Sequence, residues 1–160
     1  MKVIHLCFNV LGRFFISLVF LAGAVNKILH WHENEKSLLN TLCEWQANVG
    51  FSDGLSGSVS SIIPFTPLLL LAATLFEFLG GLSVLLGYKE KWGALLLIFF
   101  LIPATMVMHP FWFVEGVPRE VQLGHFLKNL AIIGGLILFT LRNEESPKPP
   151  FSRSNHAHFT

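Results

Sequence analysis

Four stretches of the chain are apolar almost without interruption: roughly Leu6–Leu29, Pro67–Gly87, Trp92–Met108 and Leu123–Leu141. Each approaches the ~20 residues that a helix needs to cross a hydrocarbon core of about 30 Å. Their apolar residues run on rather than alternate, and lipid offers backbone groups no partners, so helices are predicted and not strands. The third stretch is the shortest and contains Pro103, a predicted kink, because proline removes a donor and crowds the preceding turn. Between the first two stretches, Leu38, Leu42, Trp45 and Val49 recur at helical spacing with Leu39 beside them, while Glu35, Lys36, Glu44 and Gln46 fall elsewhere. That pattern predicts a short amphipathic helix over 33–49, lying in the membrane interface or capping the bundle. Ser52–Ser61 reads as a flexible linker, and 143–160, with Pro147, Pro149 and Pro150, as a disordered tail. The expected fold class is all-α: an integral membrane four-helix bundle with a short amphipathic outer helix in its first loop, one domain over residues 1–142.

Composition agrees with a lipid environment. Of the 160 residues, 52% are hydrophobic and 13% charged, where a soluble domain carries about a quarter charged. A net charge of +1 gives no electrostatic footprint for nucleic acid. Lysine and arginine distribution sets an orientation. Lys2, the Lys89–Lys91 turn, Arg142, Lys148 and Arg153 fall on one side, whereas the longer loops hold Glu33, Glu35, Glu44, Asp53, Glu115 and Glu120 against Lys36 and Arg119. Both termini are therefore expected in the cytoplasm. Phe14–Leu21 followed by Ala22-Gly23-Ala24 is similar to a signal-peptide core, but Asn9, Arg13 and Asn26-Lys27 fit an uncleaved membrane helix better. On this topology Cys7 and Cys43 lie a membrane thickness apart, too far for an intrachain disulfide, and Cys43 reads as a packing residue that could also pair with another chain.

The chemistry begins with Glu77, near the middle of LLLLAATLFEFLGGLSVLLG. A charge at that depth costs roughly 2.5–3.5 kcal/mol on insertion scales, so an intramembrane acid marks a candidate site. Arg13, Lys27 and Lys128 sit in or at the ends of the other apolar stretches and could answer Glu77, Arg13 about 10 Å in from one side and Lys128 a similar distance in from the other at 1.5 Å of rise per residue. Asn129 adjoins Lys128, His125 is one turn away, and Lys27 and His109 sit at the ends of their helices. Lys27, His109, His125, Lys128 and Asn129 thus gather toward the outer half, where bases and an amide could hold an anionic or carbonyl-bearing ligand. A purely structural ion pair between Glu77 and Arg13 or Lys128 is the competing reading, since such pairs are costly to break once buried. The histidines lack metal-ligand spacing, and there is no glycine-rich phosphate loop or nucleophile elbow, so no catalytic or metal residues are assigned. Gly80-Gly81 and Gly134-Gly135 predict close helix packing, and their similar placement hints at a parallel repeat.

GRFFISLVFLAGAVNK in the first helix, FEFLGGLSVLLG in the second, HPFW after the third and FLKNLAIIGGL in the fourth together resemble the DoxX family of small four-helix membrane proteins, from Gly12 to about Phe139. The resemblance implies a bundle in the bacterial cytoplasmic membrane and points to Arg13, Lys27, Glu77, His109, Lys128 and Asn129 as matching polar positions. Some members of that family are subunits of a thiosulfate:quinone oxidoreductase, others accompany redox enzymes, and distant eukaryotic relatives act as cargo receptors. The expectation is therefore the membrane subunit of a redox-linked complex, an accessory more than a stand-alone enzyme, since no intramembrane cysteine pair or cofactor motif is present. Glu77, Lys128 and Asn129 would line a pocket for a quinone or small anion, with Arg13 holding Glu77 ionised. Solute binding or transport, and an adaptor docking through Leu38, Leu42 and Trp45, stand as alternatives. The bilayer, a soluble oxidoreductase and a second copy of the chain are the candidate partners. The topology has a direct check: in sealed right-side-out vesicles a membrane-impermeant maleimide should label Cys43 and spare Cys7, and the opposite labelling would invert the orientation.

Overall fold

The computed structural model describes residues 2–50 and 53–141, so the tail expected over 143–160 and the start of the Ser52 linker lie outside the described residues. Six helices follow one another: α1 (Lys2–Leu29), α2 (Trp31–Asn48), α3 (Asp53–Ile62), α4 (Thr66–Leu86), α5 (Glu90–Met108) and α6 (Val117–Leu141), with 3-10 turns at Ile63–Phe65 and Phe111–Phe113. Four spans, Ile4–Leu29, Ser56–Leu86, Glu90–Phe113 and Val117–Leu141, are long and apolar enough to cross a membrane. They overlap the four apolar stretches, although the second begins at Ser56 and the fourth at Val117, and the amphipathic segment is α2. Phe8, Phe15, Leu68, Leu79 and Leu138 are each more than half exposed on the bundle's outer surface. So broad an apolar surface suits lipid and not water.

Local chemistry ends the helices where the sequence punctuates them. Gly87 closes α4 in the left-handed region at φ 68°, the glycine stop that satisfies terminal carbonyls without a Cβ penalty. A side chain there would also run into the guanidinium of Arg13, which packs against the turn. The Ser83 hydroxyl donates to the Tyr88 carbonyl at 2.6 Å and ties the turn back onto α4. α5 continues through Pro103, although that proline supplies no N–H to the Phe99 carbonyl one turn back.

The expected linker is instead helical from Asp53 to Ile62. Its serines do not compete with the helix. Ser58, Ser60 and Ser61 donate to the Gly54, Ser56 and Gly57 carbonyls at 2.8, 2.9 and 2.9 Å, one turn back along the same helix. Gln46 of α2 donates to the Ser60 hydroxyl at 2.7 Å and docks the two outer helices together.

α1 packs on α4, α4 on α5 and α5 on α6. The core is one cluster in which Phe20, Val84, Leu97 and Leu136 are almost fully enclosed, with Phe100, Leu101 and Phe139 around them. The closest helix approach is between α4 and α5. A Cβ on Gly80 would lie 2.6 Å from Leu97 Cγ, one on Gly93 would lie 2.7 Å from Ser83 Cβ, and each would be 3.1 Å from the other glycine's carbonyl oxygen. Gly81, on the adjoining face, meets Leu21 of α1. The pair in α6 behaves differently: nothing stands within 4 Å of a Cβ at Gly134, and at Gly135 only Ile16 Cδ1 comes to 3.4 Å. Close packing at both glycine pairs was expected; it holds for Gly80-Gly81 alone, so the two pairs are not equivalent.

Much of the apolar face of α2 packs on the bundle, while Leu39 stays exposed. Leu42 and Val49 are buried, and the Trp45 indole N–H donates at 2.9 Å to the Val107 carbonyl, at the C-terminal end of α5, where helical partners run out. Trp45 also meets Trp112 and Phe113 edge to face, with centroids 5.8 and 4.9 Å apart. Of the three residues proposed to dock an adaptor, Leu42 is buried, and Leu38 and Trp45 are half-buried. Overpacking costs typically 1–3 kcal/mol, so Gly80→Val should lose about that much stability in detergent unfolding assays, whereas Gly134→Ala should be neutral or slightly stabilising.

Candidate functional site

Glu77 is 6% exposed, midway along α4 on the face turned to α1. Its partner is Lys27, whose Nζ donates to Glu77 Oε2 at 2.8 Å. Arg13 instead pairs with Glu90 at the opposite end of the bundle, and Lys128 is turned to His125. The expected Arg13–Glu77 and Lys128–Glu77 pairings are therefore corrected. The reason is reach and direction: the flexible lysine stem near the end of α1 can fold back toward mid-helix, and the carboxylate fits because residue 23 is glycine. A Cβ on Gly23 would lie 3.3 Å from both carboxylate oxygens, so the missing side chain is what lets the acid lie against α1. The Lys27 ammonium also stands 6.0 Å from the centroid of the Phe100 ring, within cation–π range.

The pair opens onto a cavity of about 660 Å³, within the 300–1,000 Å³ typical of small-molecule sites. Every α4 residue on its wall precedes Gly80 and every α5 residue follows Gly93. It therefore occupies the half of the bundle away from the glycine contact. Phe76, Phe99 and Phe100 form much of its apolar wall, Phe76 and Phe99 being edge to face at 6.1 Å. Asn34, Ser37, Leu38 and Leu42 bring α2 over it as a roof. Lys27, Glu77, His109 and Asn129 supply polar groups to one lining. Lysine carries three donors, and the hydrogen bond to Glu77 uses one.

The structure thus brings together four of the residues singled out from sequence and leaves three outside the lining. Arg13 belongs to the opposite end. His125 and Lys128 are exposed beside the wall, connected to it by the stacking of His125 on His109 at 5.1 Å between centroids. His109 Nδ1 is 2.8 Å from Gln122 Oε1, an accepting oxygen, so the nitrogen carries the proton and donates. Gln122, Asn34 and Ser37 were not foreseen. Gln122 had a signal, since Gln122, His125 and Asn129 recur three and four residues apart on one face of α6. Asn34 and Ser37 had none, because nothing in the chain foretells which bundle face α2 covers. Among the described residues no three histidine, cysteine or acidic side chains gather as a metal site, and both cysteines are free and exposed.

Removing one partner of a buried pair strands a charge and costs about 3–5 kcal/mol, whereas replacing both with apolar groups is close to neutral. Lys27→Met should therefore destabilise the protein more than Lys27→Met combined with Glu77→Leu, measured by thermal unfolding in detergent. Strictly additive losses would mean that the two groups do not interact.

Comparison with known proteins bears on what this arrangement belongs to. The ER-derived vesicles protein ERV29 of Saccharomyces cerevisiae is 32% identical over 62 residues, 39% of this chain; the chain spans 20% of that relative's length. No solved structure matches the chain. The DoxX family model matches residues 8–110, from the first turns of α1 to just past α5, so that Lys27, Glu77 and His109 lie inside the match and Lys128 and Asn129 beyond it. With four apolar spans and a family match over more than half its length, this chain is a membrane protein of the DoxX family.

Proposed function

We propose that the protein is the membrane subunit of a redox-linked complex and that its cavity binds a quinone. The observation that carries this reading is the combination in one cavity of aromatic walls and a few convergent polar groups at its edges. A quinone has the matching shape, a flat apolar body with a carbonyl oxygen at each end. Lys27 would donate to one carbonyl through an N–H not used by Glu77. Asn129, by its amide, and His109 would face the other. Phe76, Phe99 and Phe100 would hold the ring by stacking and exclude water.

A bound quinone supplies acceptance of two electrons and two protons. This chain's residues bind and orient it, and Glu77 and His109 are the groups able to give or take a proton beside it. The electrons come from elsewhere, since Cys7 and Cys43 are both exposed and neither lines the cavity. A soluble oxidoreductase is the partner this requires. The setting is the bacterial cytoplasmic membrane, with both termini on the cytoplasmic side.

The test is purification in mild detergent with mass spectrometry of the lipids and proteins retained, for wild type, Asn129→Leu and Ala73→Phe, the last filling the cavity. Wild type should carry a quinone, and each variant should lose it by at least about tenfold, which corresponds to 1.4 kcal/mol. Bulk phospholipid alone in all three forms would overturn the quinone reading, and solute flux in sealed vesicles would then be the function to measure.

A further inference from the structure

Beside the cavity stands a polar pair that the quinone reading does not use, His125 and Lys128. Lys128 Nζ stands 3.2 Å from His125 Nδ1, and the His125 ring lies on that of His109 with the planes 20° apart. His109 and Asn129 line the cavity, while His125 and Lys128 are exposed next to it, so the group runs from the cavity wall to the bundle surface. Its peculiarity is its charge. Glu77 answers Lys27 and Glu90 answers Arg13, but Lys128 donates to another base, which cannot neutralise it. Among the described residues Lys128 has no carboxylate partner. It also lies well inside the apolar span Val117–Leu141. A lone cation at that depth is expensive unless something pairs with it.

We propose that His125 and Lys128 form a head-group site for an amphiphile with an anionic head, whose apolar chain passes His109 and Asn129 into the aromatic cavity. The head would accept charge-assisted hydrogen bonds from the Lys128 ammonium and the His125 imidazole, which are short and strong when the acceptor is ionised. The chain would lie along Phe76, Phe99 and Phe100. Two sources share this chemistry, a long-chain carboxylic acid and an acidic phospholipid. The chain would take the space proposed for the quinone ring, so the two ligands exclude one another there, but the head site rests on the unmatched cation and not on the Lys27–Glu77 pair.

The test uses the full chain, purified in a neutral detergent and offered an equimolar mixture of oleic acid, oleyl alcohol, phosphatidylglycerol and phosphatidylcholine, with retained lipid read by native mass spectrometry. At least one acidic lipid should be retained about tenfold over its neutral counterpart. Lys128→Gln should erase that preference, Lys128→Arg should keep it, and Lys36→Gln, on exposed α2 surface, should leave it unchanged. Ala73→Phe should weaken retention with the head site intact. Preference for oleic acid identifies a free carboxylate as the head, and preference for phosphatidylglycerol a lipid phosphate; either supports the site. Equal retention of oleyl alcohol and oleic acid together with equal retention of the two phospholipids, or a preference unchanged in Lys128→Gln, overturns it. The quinone test has a separate readout, so either reading can fail without the other.

Discussion

A carboxylate in the middle of a membrane helix must be matched, and the way Glu77 is matched shapes this protein. The salt bridge to Lys27 joins the middle of α4 to the end of α1. It requires α1 to come close, which Gly23 permits by leaving its Cβ position open to the carboxylate. A side chain at that position would crowd the carboxylate, which would have to shift by a few tenths of an ångström even for alanine. The pair therefore fixes which face of α1 meets α4, and with it which side chains of both helices look into the bundle.

The backbone contact of Gly80 with Gly93 sets the opposite condition. Where the helices meet at these glycines there is no room for a side chain on residue 80 or 93, and the cavity lies wholly to one side of that point. α2 covers that side. Its indole at Trp45 satisfies the Val107 carbonyl at the end of α5, so the roof is held by a hydrogen bond that a helix end in a low-dielectric setting needs anyway. The ion pair, the glycine contact and the roof together produce an apolar space with polar groups at its margins.

The same physics separates the two ends of the bundle. At one end Arg13 and Glu90 pair beside the tight α4–α5 turn, away from the lining of the large cavity. At the other, Lys27 is neutralised by Glu77 whereas Lys128 is not, and the difference lies in what each faces: α1 turns its lysine inward onto an acid, and α6 carries its own on the surface beside a histidine. Two lysines toward the same end of the bundle thus acquire different chemistry from their neighbours.

How much was legible from the chain follows from the range of each interaction. The four spans and the amphipathic α2 depend on local hydropathy and period, and both are readable in the sequence. Glu77 stands out for the same reason, as an acid in an apolar run. The partner of Glu77 is another matter, because three cations lie within plausible depth and depth is the only coordinate that a sequence supplies. Helix rotation and side-chain reach select Lys27, and both come from packing. Likewise the two glycine pairs look alike in sequence, but a glycine matters only where another backbone approaches, which happens at Gly80 and not at Gly134. The serine-rich segment read as a linker because its composition suits one; its hydroxyls bond within the helix and its flank docks on α2, so context made it α3. Sequence by itself determined the membrane-spanning helices and the presence of buried charge, since both follow from transfer of residues out of water. Only the tertiary structure decided which charges meet and where the cavity lies, since these depend on how neighbouring helices turn against one another.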